Sequence, residues 1–246
     1  KTIEPAGAGN LMQQFEKLKN KLENEGLFNL DKKVDIPYSP NHIGVITSSS
    51  TAAFQDIVST VKRRAPNSQI SLSDAMVQGD NAHVSIINAL NRIILFNENN
   101  PTNKIDVVII SRGGGSIEDL WCFNNEDLAR EIFSYPIPTI SGVGHEIDFT
   151  ICDFVCDMRV PTPTASAELV TEFNFKLIDR LKEFKSKILK NMIALMDDLN
   201  RNLDFNKSRL KSPLSLLREK NQQLDNLDLR MQQQLKSIIT NKKNQI

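Results

Sequence analysis

The chain's 246 residues are enough for one large or two modest domains with a sizeable buried core. Thirty Lys and Arg balance thirty Asp and Glu, so any face that attracts a polyanion must come from local distribution, not net charge. No signal peptide and no apolar run long enough to span a bilayer is present, and the three cysteines, with neither CxxC nor zinc-like spacing, suit free thiols in a reducing cytoplasm.

In chain order, Gly9 to Gly26 predicts an amphipathic helix, with Leu11, Phe15, Leu18 and Leu22 three or four apart and Gly26 as its stop. A Pro-flanked connection through Pro37 and Pro40 leads to a short buried strand, Ile43 to Thr47. The hydroxyl-rich loop Ser48 to Thr51 offers N-caps to a helix ending near Arg64. A strand near Gln69 to Ala75, a helix from Asp80 to Phe96 and a strand from Asp106 to Ser111 follow. After Asn124 a helix reaches Phe133, and Pro136 and Pro138 bracket entry to the strand Thr139 to Ser141. Cys152 and Cys156, four apart on a helix, read as packing residues.

Short strands alternating with longer helices predict an α/β fold, a mostly parallel sheet flanked by helices, with ligands bound beyond the carboxyl ends of the strands. The loops at Ser48, Arg112 and His145 all follow strand ends, so three segments are expected to converge on one crevice. From Ala165 the character changes. Leu177, Leu181, Phe184, Ile188, Met192, Leu195, Leu199 and Leu203 step by four and three with no glycine between, which predicts a long, nearly straight helix. Ser212-Pro213 reads as an N-cap with proline in the first turn, and Leu217, Leu224, Leu227, Met231, Leu235 and Ile238 supply a second stripe. A narrow apolar stripe on a charged helix needs a partner. The expected organisation is an N-terminal helix and linker over 1–38, an α/β catalytic domain over 39–164 and a helical coiled-coil arm over 165–246.

Two runs carry the chemistry. Ser111-Arg-Gly-Gly-Gly-Ser116 follows an apolar strand, so the N–H groups of Gly113, Gly114, Gly115 and Ser116 can surround an anion with Arg112 beside them. Gly142-Val-Gly-His-Glu-Ile-Asp148 adds an imidazole and two carboxylates after the next strand. Phosphodiester hydrolysis needs an activated water, charge stabilisation and a proton for the leaving oxygen. Arg112 and the glycine loop supply the stabilisation. His145 transfers protons near neutral pH, and Asp148 orients it, orients water or holds a metal. Asp56, a turn or two into the helix after the hydroxyl loop, is on chemistry alone equally a solvated helix residue. Glu118 and Asp119 read as N-terminal capping acids, and Trp121 and Phe123 as core residues ahead of base-stacking ones. Lys62, Arg63 and Arg64 read as a solvated helix end or DNA contacts, Glu146 ranks below His145, and Arg159 reads as a phosphate contact or a domain anchor. There is no Gly-Lys-Ser/Thr ending the glycine run, no second histidine after His145-Glu146 and no Gly-x-Ser-x-Gly elbow. Those absences exclude a P-loop, a zincin and an α/β-hydrolase.

The stretches Arg112-Gly-Gly-Gly-Ser-Ile-Glu-Asp-Leu-Trp-Cys-Phe-Asn124, Ile140-Ser-Gly-Val-Gly-His-Glu-Ile-Asp148 and Asp157-Met-Arg-Val-Pro-Thr-Pro-Thr164 resemble the large subunit of bacterial exodeoxyribonuclease VII. The likeness runs from about Thr2 to Glu172, with Thr51, Gly142 and Val160 as departures. The resemblance implies hydrolysis of single-stranded DNA to oligonucleotides by a cytoplasmic DNA-repair complex. Asp56, Arg112, His145 and Asp148 fall on the family's important polar positions, with Gly113, Gly114, Gly115, Ser116 and Ser48 around the substrate. It further implies a small helical subunit on the arm, with self-association of the arm as a second expectation, and no membrane partner. The cofactor stays open, Mg2+ being the candidate metal, and no organic cofactor is expected. The start at Lys1 without Met suggests an excised segment, and the family resemblance implies that an oligonucleotide-binding barrel and further coiled coil belong outside it. A non-catalytic phosphate-binding and assembly module is the competing reading, and a purely structural scaffold a third.

Overall fold

A computed structural model describes residues 8–114, 119–144, 148–210 and 212–243. Among them, five strands form one all-parallel sheet in the order β2-β1-β3-β4-β5, built from β1 (His42–Thr47), β2 (Gln69–Asp74), β3 (Val107–Ser111), β4 (Thr139–Gly142) and β5 (Met158–Arg159). β1 and β3 are buried along their whole length. Their unbroken apolar runs are what a sheet covered on both faces demands, because successive side chains point to opposite sides.

The helices are α1 (Ala8–Asn24), α2 (Ala52–Arg64), α3 (Ala82–Asn99), α4 (Glu126–Phe133), α5 (Ile151–Val155), α6 (Pro163–Arg209) and α7 (Pro213–Lys243). One face of the sheet, through Ile46, Val108 and Ile110, packs with Val143 just past β4 on Leu22 of α1, Ile86 and Leu90 of α3, Leu128 and Ile132 of α4, and α5. The other face, through Ile43, Val45, Val107, Ile109 and Ile140, packs on Ile57 and Val61 of α2 and on Ala167 and Val170 of α6. Each such aliphatic side chain contributes roughly 1.5–3 kcal/mol by leaving water.

α1 stops where its sequence says it should. Gly26 has φ +80°, and the Gly26 and Leu27 N–H groups donate to the Glu23 and Leu22 carbonyls, the paired bonds of a Schellman motif. Lys21 and Arg130 then bind Glu126 at 2.7 Å, and Arg130 also reaches Glu25. These cations, through their hydrogen bonds, hold the Glu126 carboxyl below the usual range. β5 was not foreseen in the sequence. Only two residues long, it is held by pairing Ile140 with Met158 and Ser141 with Arg159.

The chain divides into two compact units, residues 1–181 and 182–246. In the first, α6 begins as part of the core: Ser166, Ala167, Val170 and Thr171 are buried. Arg64 fastens it to α2 through Thr171 at 3.1 Å, Glu168 at 3.5 Å and the Phe175 ring at 4.4 Å, a packing role for the cationic end of α2. In the second unit, Phe184, Ile188, Met192, Leu195, Leu199 and Leu203 all lie exposed on α6, as do Leu217, Leu224 and Met231 on α7. The α7 start follows the Ser-Pro signal: the Leu214 N–H donates to Ser212 Oγ. No helix among the described residues is long and apolar enough to cross a membrane.

Candidate active site

The chain leaves β1 and returns through β2 on one side of it, then crosses to β3 on the other. In a doubly wound sheet the carboxyl ends of such diverging neighbours open a crevice. A cavity of about 380 Å³ lies there, lined by Ser48, Ser50 and Thr51 after β1, Met76, Val77 and Gln78 after β2, and Arg112, Gly113 and Gly114 after β3. The predicted members Ser48, Arg112, Gly113 and Gly114 are therefore brought together.

The Arg112 side chain is only 5% exposed. Its Nη2 donates to Asp119 Oδ2 at 3.1 Å and to Gln78 Oε1 at 3.4 Å, whereas Nη1 is buried with no hydrogen-bond partner among the described residues. A buried cation with one nitrogen unsatisfied is costly unless a ligand oxygen completes it. Asp119, expected as a capping acid, pairs with this guanidinium. An added Cβ on Gly113 would meet nothing within 4 Å among the described residues, so none of them crowds this glycine beside the arginine.

The hydroxyl loop adds a second source of positive potential. Thr51 is the N-cap of α2, but its side chain makes no cap bond. Its Oγ1 donates back to the Ser48 carbonyl at 2.7 Å. Ser48 Oγ and Ser50 Oγ lie 3.2 Å apart, and the Ser49 N–H is held by Asp74 at 2.6 Å. The positive end of a 13-residue helix therefore meets the cavity without a capping side chain to neutralise it.

The remaining predicted residues stand differently. Asp56 is exposed on α2, off the buried stripe of Ala53, Ile57 and Val61, and does not line the cavity. Asp148 is half-buried and also absent from the lining. Gly144 approaches it so closely that an added Cβ would lie 2.1 Å from the Asp148 carbonyl oxygen. Gly115, Ser116 and His145 lie outside the described residues, as do Glu118 and Glu146. No group of three His, Cys, Asp or Glu side chains among the described residues is placed to hold a metal.

The segment after Asp148 is rigidly set. Thr150 and Asp153 form a reciprocal capping box, and the buried Asp153 carboxylate also accepts from Ser141 Oγ at 2.6 Å. Beneath the site, Cys122 Sγ contacts the Val77 and Asp119 carbonyls at 3.7 Å, and burial pushes its thiol up to about 11. Cys152 is raised well above the usual thiol range by its hydrogen bond with Cys156 and by burial. All three are free, buried thiols.

Sequence reasoning missed Gln78 as a cavity wall and Asp119 as the partner of Arg112. The only signal for Gln78 was its place after a strand end, just before Gly79.

Comparison with known proteins gives one consistent answer. A family model described as exonuclease VII, large subunit, matches residues 27–246. The exodeoxyribonuclease 7 large subunit of Clostridioides difficile (strain 630) is 48% identical over 209 residues, covering 83% of this chain and 50% of that protein. Its counterpart in Halothermothrix orenii is 49% identical over 186 residues, or 76% and 44% of the two chains, and that of Vibrio parahaemolyticus 50% over 173, or 70% and 38%. The chain thus spans half or less of the length of these relatives. With 220 consecutive positions matched by the family model, 27 to 246 inclusive, the chain belongs to the exonuclease VII large subunit family.

Proposed function

We propose that this chain carries the catalytic domain of a cytoplasmic nuclease that hydrolyses phosphodiester bonds of single-stranded DNA to oligonucleotides. The observation that carries the reading is the buried Arg112 guanidinium, half-satisfied by Asp119 and Gln78, in a cavity at the sheet's crevice. Arg112, the Gly113–Gly114 backbone and the α2 N-terminus stabilise charge on the phosphoryl oxygens. His145 transfers the proton, Asp148 orients the attacking water, and Asp56 extends the site along α2. Relatives that match most of this chain are named exodeoxyribonucleases, which favours turnover over phosphate binding alone.

The test is cleavage of end-labelled single-stranded DNA by the full-length protein with its small subunit. His145→Ala and Asp148→Ala are expected to reduce the rate by about 100-fold or more while leaving the melting temperature within a few degrees. Wild-type protein that binds the oligonucleotide but never cuts it would leave only the binding-module reading.

We also propose that the arm joins a coiled coil with the small subunit through the α7 face bearing Leu217, Leu224 and Met231. Exposed apolar residues at helical spacing support this. Replacing all three with Glu is expected to abolish co-purification of the small subunit; retained assembly would move the interface elsewhere.

A further inference from the structure

Phe149 follows Asp148 directly and keeps 47% of its surface exposed, although Thr150 and Ile151 next to it are buried. The Arg159 guanidinium carbon lies 3.8 Å from the Phe149 ring centroid. The same ring stacks on Phe154 at 5.7 Å with an interplanar angle of 25°. Phe154 in turn meets Phe28 at 5.3 Å and has Lys19 Nζ 5.1 Å from its centroid. Three rings and two cations thus form a continuous row that starts at the residue after Asp148.

Part of this row is local architecture. Phe149 and Phe154 stand at the positions before and four after the Thr150 cap, where an apolar pair staples a helix entry. A staple needs only apolar contact, and leucine serves as well as phenylalanine. Nor does it call for a guanidinium laid on the ring, where Arg159 is held with its Nε 3.9 Å from the buried Asp153 carboxylate. A cation stacked on a partly exposed aromatic surface is instead the chemistry that receives an unpaired base, with the positive charge drawing the adjoining phosphate. Bases in a duplex are already stacked and cannot use such a surface.

We propose that Phe149 and Arg159 form a stacking platform for a base of single-stranded DNA flanking the linkage attended by Asp148. The assignment of that linkage rests on the nuclease reading, but the platform itself is a binding site and is tested by binding.

The full-length protein with its small subunit would be titrated with a fluorescein-labelled oligothymidylate and with an abasic strand of equal length and charge, at equilibrium in EDTA. The same proteins would then be assayed for cleavage. Phe149→Leu keeps the staple and removes the aromatic face. It is expected to weaken oligothymidylate binding by about tenfold, leave abasic binding unchanged and preserve the melting temperature, while Phe149→Trp retains the base preference. An unchanged ratio of the two affinities in Phe149→Leu would overturn the platform while leaving the nuclease reading intact. Loss of base preference in a protein that never cleaves would keep the platform and remove the nuclease. Should Phe149→Leu fail to fold, Arg159→Gln reads the other half of the stack in the same assay, and an unchanged ratio there overturns the proposal equally.

Discussion

Arg112→Ala is expected to slow cleavage of single-stranded DNA by about 100- to 1,000-fold, the range lost when one preorganised donor to a developing oxyanion is removed. The expectation follows from how the guanidinium is held. Its Nη2 is occupied by Asp119 and Gln78, and Nη1 is buried without a partner among the described residues. The side chain is therefore already fixed through Nη2, and Nη1, unpartnered among the described residues, is positioned to donate to an entering anion. Arg112→Lys should restore little, because one ammonium cannot both hold Asp119 and direct a second donor in a fixed plane. The fold should survive, since the Asp119 carboxylate left behind is 45% exposed and can be hydrated. Inorganic phosphate should raise the melting temperature of the wild type and not of Arg112→Ala. A variant that cuts at close to the native rate would remove Arg112 from the mechanism.

Gly144→Ala is expected to be nearly as damaging, for a different reason. The new methyl would lie 2.1 Å from the Asp148 carbonyl oxygen, a backbone atom that cannot rotate away. Asp148 has little freedom to retreat, because Thr150 two residues on is buried and locked to Asp153. The backbone carrying Asp148 must shift by about an ångström, which costs roughly 100-fold in rate and about 1–3 kcal/mol of stability as overpacking. Gly113→Ala is the control. Its methyl meets nothing within 4 Å among the described residues, so melting should be unchanged and any loss of activity reports room needed by the ligand. Gly144→Ala with native melting and native cleavage would show that the close approach has no functional weight.

Much of this organisation was legible in the sequence, and the reasons are local. β1 and β3 announce themselves as unbroken apolar runs because both of their faces are covered. The end of α1 is written in Gly26, whose positive φ other residues rarely adopt. Ser48 and Arg112 were expected to converge because both follow parallel strands. What the sequence withheld depends on distant pairing. Nothing in a two-residue stretch such as Met158–Arg159 marks a strand until β4 offers it an edge. Gln78 carries no distinctive chemistry until its amide meets Arg112, 34 residues away. Local spacing marks Asp119 as a helix-capping acid, and nothing local reveals that its carboxylate also pairs with the Arg112 guanidinium. The stripe on the arm was plain, but a stripe names no partner.

The start of α6 bears on any effort to divide the molecule. Its first turns close the sheet face formed by Ile43, Val45, Val107, Ile109 and Ile140, and the compact unit runs to Leu181. A chain shortened at Thr164 would strip Ala167 and Val170 from that face and should precipitate, whereas one ended beyond Leu181 keeps its lid. The helix that continues into the second unit is rooted in the α/β core, so amputating it too short exposes that core's interior.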